Sequence, residues 1–265
     1  MRKEKDGLGE RLLPDEAYYG IQTLRAMENF AISDNTFAHY PNIVRAMAEI
    51  KKACALTNKE IGALPADIAD AIATACDEML AGRYPDQFPV NVFRGCGTSI
   101  NMNVNEVLGN RANELLTGHK GADRVHPNTH VNMCQSSNDV FPTAASLVLY
   151  RETGGLLDAL ATLEAAVRER MEALGPVVRI GRTCLQDAVP LTFGQSLSGY
   201  ASLLERTRAQ IAAFRKRSAT GILGATAVGT GIGVQPGFMK RIYRNLSSIT
   251  GFPVRRNPNP FDGMQ

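Results

Sequence analysis

The sequence contains no tryptophan, and aromatic residues make up only 6% of its 265 residues. It also lacks a strong charge of either sign, because 29 Lys and Arg against 26 Asp and Glu leave a formal net charge of +3. Such a balance gives no electrostatic footprint for nucleic acid or an acidic membrane surface. No apolar run approaches the roughly 18–20 residues of a membrane span. The charged N-terminus has no apolar segment that would make it a secretory signal. We therefore expect a cytoplasmic protein without nucleic-acid or membrane partners.

The five cysteines form no CxxC pair and are spread widely along the chain. In a mostly helical cytoplasmic protein this excludes a disulfide framework and predicts free thiols. His126, His130 and Cys134 recur every four residues, so a zinc site is the alternative interpretation of this segment. Pro127 and the polar residues after it make a regular helix there unfavourable. We expect neither a metal nor a cofactor.

Apolar residues recur at three-to-four spacing in several long segments, which is the pattern of amphipathic helices. The predicted helices cover residues 41–62, 66–82, 98–116 and 143–175, with a further long helix opening at Pro190. Helices of about thirty residues exceed the globular average and indicate an extended bundle. We predict an all-α fold with a small, mainly helical N-terminal domain over residues 1–139. Part of a long central helical bundle follows over residues 140–265. A hairpin or irregular lead-in precedes the first helix.

Three polar segments look suited to hold an anion. GCGTS (95–99) and QSSND (135–139) each precede or open a predicted helix, whose unpaired N–H groups attract a carboxylate. GRTCLQDAVP (181–190) lies between the two bundle helices and carries Arg182 and Asp187. Ordinary helix capping remains the alternative for the first two segments, and a salt-bridged hinge remains the alternative for the third. A glycine-rich stretch, GILGATAVGTGIG (221–233), lacks the preceding strand and GK[ST] ending of a nucleotide-binding loop.

Four segments together resemble the aspartase/fumarase superfamily. They are GTSINMNVNEV, HPNTHVNMCQSSNDVFPTA, GRTCLQDAVPLTFGQ and LGATAVGTG, and they follow the order and spacing of that family. The resemblance implies an all-helical homotetramer in which three subunits contribute to each active site. It also implies a small dicarboxylate substrate, from which reversible anti-elimination releases fumarate. The intermediate is an enediolate that hydrogen-bond donors around the β-carboxylate stabilise.

The resemblance assigns roles to several residues of the polar segments. Thr98, Ser136 and Ser137 match the positions that hold the β-carboxylate. Asn138 matches the residue near the leaving amine or hydroxyl group. These positions lie in the segments that the residue chemistry alone marks as anion-holding.

The third segment departs from the family pattern. Thr183 matches a contact to the α-carboxylate, and Cys184 occupies the position that faces the leaving group, where the family usually has His or Gln. A thiol is a weak hydrogen-bond donor, so this change weakens a fumarate hydratase assignment more than an aspartase one. Thr129 stands where the family usually has Asp, within a loop linked in fumarases to a second dicarboxylate site, which we do not assign here.

Within the family, AYYGIQTLRAMENF, DAVP and GATAVGTG resemble aspartate ammonia-lyases, whereas SSNDVFPTA and HPN resemble class II fumarate hydratases. We favour the first activity. Nothing in the sequence matches the family's GSSxMPxKxN loop with its serine base, and the last residues, NPNPFDGMQ, are polar and proline-rich. We therefore expect a truncated chain that is inactive alone. The other alternative is a non-catalytic helical assembly protein.

Overall fold

The computed structural model describes residues 1–93 and 96–264, including every side chain in those ranges except that of Cys96. Most of this chain is helical, so the predicted all-α class is confirmed. Contacts divide it into two compact units, Met1–Val148 with Ala219–Gln265, and Leu149–Ser218. This grouping differs from a boundary at residue 139, because the segment after residue 218 belongs with the first unit. The assignment of two lyase domains stays a prediction.

Helices alternate with short two-stranded pairings along the chain. The elements are β1 (Arg2–Asp6), β2 (Gly9–Leu13), α1 (Ile21–Asn29), α2 (Pro41–Glu60), α3 (Ala66–Leu80), α4 (Cys96–Thr117), α5 (Ser137–Leu174), β3 (Val178–Thr183), β4 (Gln186–Thr192), α6 (Phe193–Ser218), β5 (Thr220–Gly221), α7 (Ile242–Thr250) and β6 (Arg255–Arg256). β1 pairs antiparallel with β2, β3 antiparallel with β4, and β5 parallel with β6. In the described part of the chain, no helix combines the length and the apolarity that crossing a membrane requires.

The core of the first unit forms around α2, which packs against α3, α4 and α7. Met47, Ile50 and Cys54 follow three-to-four spacing on α2 and are fully buried. α2 and α3 end within two residues of their predicted limits, because this spacing and a proline define them well: Pro41 is the first residue of α2, and Pro65 directly precedes α3. Lys51 lies in the same buried stretch and is also fully buried.

The carboxylate of Glu106 on α4 holds the start of α1. It accepts hydrogen bonds from the backbone N–H groups of Gly20, Gln22 and Thr23 at 2.8–3.0 Å and from the Thr23 hydroxyl at 2.6 Å. Burial raises the pKa of Glu106 above its usual value. α1 has no side-chain cap of its own, so Glu106 satisfies N–H groups that a helix N-terminus leaves unpaired. This interaction fixes α1 to α4.

The predicted helix start at Pro190 is wrong, because Pro190 lies in β4 opposite Ile180. Proline has the same fixed φ at a helix start and in an edge strand, so Pro190 alone does not distinguish the two structures. The β3–β4 hairpin has only edge strands, so the missing N–H of Pro190 costs it little. Helix α6 begins instead at Phe193.

The second unit contains the C-terminal part of α5, the β3–β4 hairpin and α6. Glu164 of α5 accepts hydrogen bonds from Arg168 on the same helix and from Arg208 on α6, at 2.9–3.1 Å. This ion-pair group joins the two helices. Several large apolar side chains of the unit are exposed, among them Leu156 and Leu163 of the predicted heptad-like seam.

Replacing Glu106 with Gln should destabilise the protein. The amide would place an N–H₂ group against backbone N–H donors, and we expect a loss of about 1–3 kcal/mol in the free energy of unfolding. Urea denaturation measures this difference. Glu16→Gln, at an exposed position of the same unit, is the control and should change stability little. Equal stability of Glu106→Gln and Glu16→Gln would contradict this role of Glu106.

Candidate active site

A cavity of ≈ 430 Å³ in the first unit brings together segments that are distant in sequence. Its walls come from the start of α4, the π-helical turn Pro127–Val131 and the residues after it, and the start of α5. The last wall is the glycine-rich stretch 221–233, called the glycine-rich loop below. Thr98, Ser136 and Ser137 all line it, so three of the predicted carboxylate-binding residues share one site. Thr226 of the glycine-rich stretch is distant from these residues in sequence but lines the same cavity.

Two helices begin at this cavity. Thr98 is in the first turn of α4, and Ser137 is the first residue of α5. The unpaired N–H groups and the positive dipole end of each helix therefore lie close to the cavity, which favours an anion there. Gly95 of the first predicted segment and the side chain of Cys96 lie outside the described residues.

Ser136 and Asp139 form a reciprocal cap, called the capping box below, at the start of α5. The Ser136 Oγ accepts a hydrogen bond from the N–H of Asn138 at 3.2 Å, and the Asp139 carboxylate accepts from the N–H of Ser136 at 2.9 Å. The helix thus begins six residues before the predicted position 143 and contains Pro142. Capping and anion binding are compatible at Ser136, because the cap uses only the hydroxyl oxygen and leaves its proton available.

Asp139 also binds the glycine-rich loop. Its second carboxylate oxygen accepts hydrogen bonds from the N–H groups of Gly224 at 3.1 Å and Thr226 at 2.9 Å. Burial raises the pKa of Asp139 to about 6, against the lowering effect of these N–H donors. Thr226 has a positive φ of 61°, a backbone conformation that needs support from its surroundings. Asp139 therefore fixes the loop beside the serines.

Lys51 of α2 lies behind the cavity with no exposed surface. Its ammonium donates to the side-chain oxygens of Asn132 at 2.8 Å and Gln135 at 2.9 Å. Burial lowers the pKa of Lys51 to about 7, while the charge of Asp139 acts in the opposite direction. The fold thus places a buried amine beside two residues that line the site.

Three other predicted site residues have different surroundings. Asn138 is exposed, and its amide donates to the carbonyl oxygen of Ala227 at 2.8 Å, next to the cavity-lining residues. Thr183 ends β3, and Cys184 lies exposed in the turn before β4, both in the second unit. Their assignment to the site stays a prediction.

The histidines of the possible zinc segment are engaged in local hydrogen bonds. Nδ1 of His126 accepts from the N–H groups of Asn128 and Thr129, and Nδ1 of His130 accepts from the N–H of His126. Within residues 1–93 and 96–264, no group of three or more His, Cys, Asp or Glu side chains is arranged to hold a metal ion. The segment acts as a π-helical turn that positions Asn132.

A larger cavity of ≈ 750 Å³ lies against the N-terminal hairpin. Its lining contains four basic residues, Arg2, Lys3, Lys5 and Lys120, and four acidic ones, Glu4, Asp6, Glu106 and Asp123. Arg2 pairs with Glu4 at 2.8 Å. This balance gives the cavity no excess of positive charge to attract an anion. The cavity between the two helix starts is therefore the better candidate site.

Sequence reasoning missed Lys51, Asn101 and Asn132 as parts of the site. Asn101 and Asn132 line the cavity, and Asn101 is 1% exposed. Lys51 occupies a position four residues after Met47 on the buried stripe of α2. A lysine on such a stripe is unusual, and this signal could have indicated a buried polar contact.

Comparison with known proteins identifies close relatives. The family model described as Lyase matches residues 9–265. Aspartate ammonia-lyase of Bacillus subtilis is 43% identical over 256 residues, which cover 96% of this chain and 53% of that protein. Class II fumarate hydratase of Thermosynechococcus vestitus is 43% identical over 265 residues, which cover 98% of this chain and 56% of that protein. A fumarate lyase:delta crystallin structure from Brucella melitensis superimposes with a TM-score of 0.91 at 42% identity, covering 99% of this chain and 58% of that one.

The fold and the cavity define a helical protein with a candidate anion site at two helix starts. The family match over residues 9–265 and the relatives above make the chain a member of the aspartase/fumarase superfamily of lyases. It spans about half the length of the curated relatives that it matches.

The pKa of Asp139 predicts a pH-dependent contribution to stability. The folded-state pKa lies above the usual value of 3.8, so the stabilising contribution is largest at low pH and is lost as pH rises through about 6. Between about pH 4.5 and 7 the free energy of unfolding should fall by about 2 kcal/mol through this group. Asp139→Asn should remove this change, which chemical denaturation of both proteins across the range measures. A parallel pH dependence in the two proteins would contradict the assignment.

Proposed function

We propose that the whole protein is an aspartate ammonia-lyase, which converts L-aspartate reversibly into fumarate and ammonia. The observation that carries this proposal is the convergence of Thr98, Ser136 and Ser137 on one cavity between two helix starts. Hydroxyl and N–H donors at this density suit a carboxylate group. The superfamily's reaction requires such donors around one carboxylate of its substrate.

In this reaction a base removes a proton from Cβ, and the electron pair of that bond moves onto the β-carboxylate as an enediolate. Return of the electron pair forms the Cα–Cβ double bond and breaks the Cα–N bond. Thr98, Ser136 and Ser137 would donate hydrogen bonds to the enediolate oxygens, whose charge is greater than in the substrate. Donors already fixed in place stabilise this intermediate more than the substrate, which is the source of the rate gain.

The superfamily resemblance assigns the leaving group and the α-carboxylate to three further residues. Asn138 would contact the departing amine, Thr183 the α-carboxylate, and Cys184 the side of the leaving group. The catalytic base that removes the Cβ proton is not one of these residues. We propose that another part of the whole protein supplies it. The weak donor capacity of the Cys184 thiol favours ammonia over water as the leaving group, because an ammonium substrate needs less protonation as it departs.

Class II fumarate hydratase is the second candidate. The segments SSNDVFPTA and HPN support it, and the fumarate hydratase relative is as similar to the chain as the aspartase relative. The preference for aspartate depends on AYYGIQTLRAMENF, DAVP and GATAVGTG. Both activities use the same carboxylate-binding donors, so the site geometry supports either.

We also propose a homotetramer of the whole protein with active sites shared between subunits. The exposed apolar residues of the second unit support this assembly, because large apolar patches usually mark interfaces. Leu163 on α5 is 51% exposed, and Leu185 at the hairpin turn is 94% exposed. Other copies of the chain would cover them. The cytoplasmic location likewise remains a prediction from composition.

The choice of substrate is tested by the ultraviolet absorbance of fumarate. With the whole protein, we expect fumarate to form from L-aspartate and little to form from L-malate. Activity on malate without activity on aspartate would contradict the aspartase assignment and favour the hydratase. Absence of both activities in a folded protein would favour a non-catalytic assembly role.

The carboxylate-binding role is tested by Thr98→Val, which removes the hydroxyl and keeps the side-chain shape. We expect kcat to fall about 10²-fold, the usual effect of losing one donor to a developing oxyanion. Thr74→Val is the matched control, because Thr74 is exposed on α3 and its hydroxyl binds only its own helix backbone at Asp70. Similar kinetics for Thr98→Val and Thr74→Val would rule out the proposed role of Thr98.

A further inference from the structure

A chain of hydrogen bonds leads from the core of the first unit to a serine of the cavity. It begins at Lys51, which is fully buried, and passes through the half-buried Asn132 and through Asn101, which is 1% exposed, to Ser137. We call these four residues the amide relay. The capping box of Ser136 and Asp139 lies beside the relay and does not use it.

The direction of the first hydrogen bond in the relay follows from a backbone carbonyl group, which can only accept. The Asn132 Nδ2 donates to the carbonyl oxygen of Gln135 at 3.3 Å, so Asn132 presents its Oδ1 to Lys51, at 2.8 Å. Gln135 does the same at 2.9 Å, and its own amide N–H₂ donates to the carbonyl oxygens of Val131 and Met133. Lys51 therefore supplies the donor that both side-chain oxygens face.

The next bond is constrained in the same way. The Asn132 oxygen that accepts from Lys51 also accepts from Asn101, at 3.1 Å, so Asn101 must present its N–H₂ group. The same nitrogen donates to the Ser137 Oγ at 3.0 Å. Rotating the Asn101 amide by half a turn would bring two oxygens together. Its own Oδ1 is buried and has no partner among the described residues.

The last member of the relay is a hydroxyl that lines the cavity. Because the Ser137 Oγ accepts from Asn101, its proton is not needed within the relay, and no described residue accepts it. A hydroxyl in this state is a fixed donor toward a ligand in the cavity. Without the relay, Ser137 could instead donate to a neighbouring amide oxygen and present only a lone pair to the ligand.

We propose that Lys51 and Asn101 are positioning residues that make Ser137 a donor to the substrate carboxylate. Lys51 acts through Asn132 and Asn101, and Asn101 acts by its own hydrogen bond to Ser137. This inference rests on the proposed function, in which Ser137 stabilises the enediolate. The relay extends the site from the cavity wall to the core of the first unit. It also gives the buried lysine of α2 a role that packing alone does not explain.

The test is a double-mutant cycle in the whole protein. If Asn101 acts through Ser137, Asn101→Ala should lower kcat/KM about tenfold or more with most of the change in kcat, since a donor to the developing oxyanion is lost. In the Ser137→Ala background the same change should have almost no further effect. In the Ser136→Ala background it should retain its full effect, because Ser136 is bonded to Asn138 and not to the relay.

A general structural role for Asn101 would lower kcat/KM equally in all three backgrounds, and that outcome would overturn the proposal. Lys51→Met keeps the length of the side chain without its donor and should show the same pattern with a smaller loss. If Lys51→Met fails to fold, the Asn101 cycle still decides the question. Thermal unfolding of each variant identifies such a failure.

Calorimetric binding of succinate, a dicarboxylate without a leaving group, separates this inference from the proposed reaction. If the whole protein has no activity on aspartate or malate, the proposed function fails. The double-mutant cycle of Asn101 and Ser137 is then measured through the affinity of each variant for succinate. Coupling between Asn101→Ala and Ser137→Ala in succinate binding would support the relay. A folded protein that neither reacts nor binds succinate would overturn both proposals.

Discussion

The buried carboxylate of Asp139 is the constraint on which the candidate site depends. One oxygen closes the capping box at the start of α5, and the other holds the glycine-rich loop through Gly224 and Thr226. Residues that are about 85 positions apart in sequence are thereby fixed within one wall of the cavity. Burying the carboxylate is unfavourable, as its raised pKa indicates, and three N–H donors offset this cost. Asn138 adds a hydrogen bond to the carbonyl oxygen of Ala227, while the N–H of Thr226 itself is bonded to the Asp139 carboxylate.

The site attracts an anion with few formal charges. Two helix starts and the hydroxyls of Thr98, Ser136 and Ser137 provide donors, while the charged groups, Lys51 and Asp139, are buried behind them. Each serine Oγ already accepts one hydrogen bond from the protein, so its proton remains for the ligand. Fixed neutral donors need little reorganisation when charge develops on a substrate. This explains why residues that look like ordinary helix caps can also belong to an active site.

Much of the fold and part of the site could be predicted from sequence. The limits of α2 and α3 follow from amphipathic spacing and from Pro41 and Pro65, and the three serine and threonine donors follow from polar segments at helix starts. The β3–β4 hairpin was missed because its turn, Cys184-Leu185, lacks the usual Asn-Gly signal although both residues have positive φ. The relay was missed because the direction of an amide hydrogen bond depends on contacts between α2, α4 and the π-helical turn. Such contacts leave no periodic pattern in the sequence.

The most direct test of the central claim, that the cavity between the starts of α4 and α5 binds a dicarboxylate, is a crystal structure of the whole protein with succinate. We expect one carboxylate within hydrogen-bond distance of the Thr98, Ser136 and Ser137 hydroxyls, with Asn101 still donating to Ser137. Succinate bound only in the cavity beside the N-terminal hairpin, with the serine hydroxyls unoccupied, would contradict it.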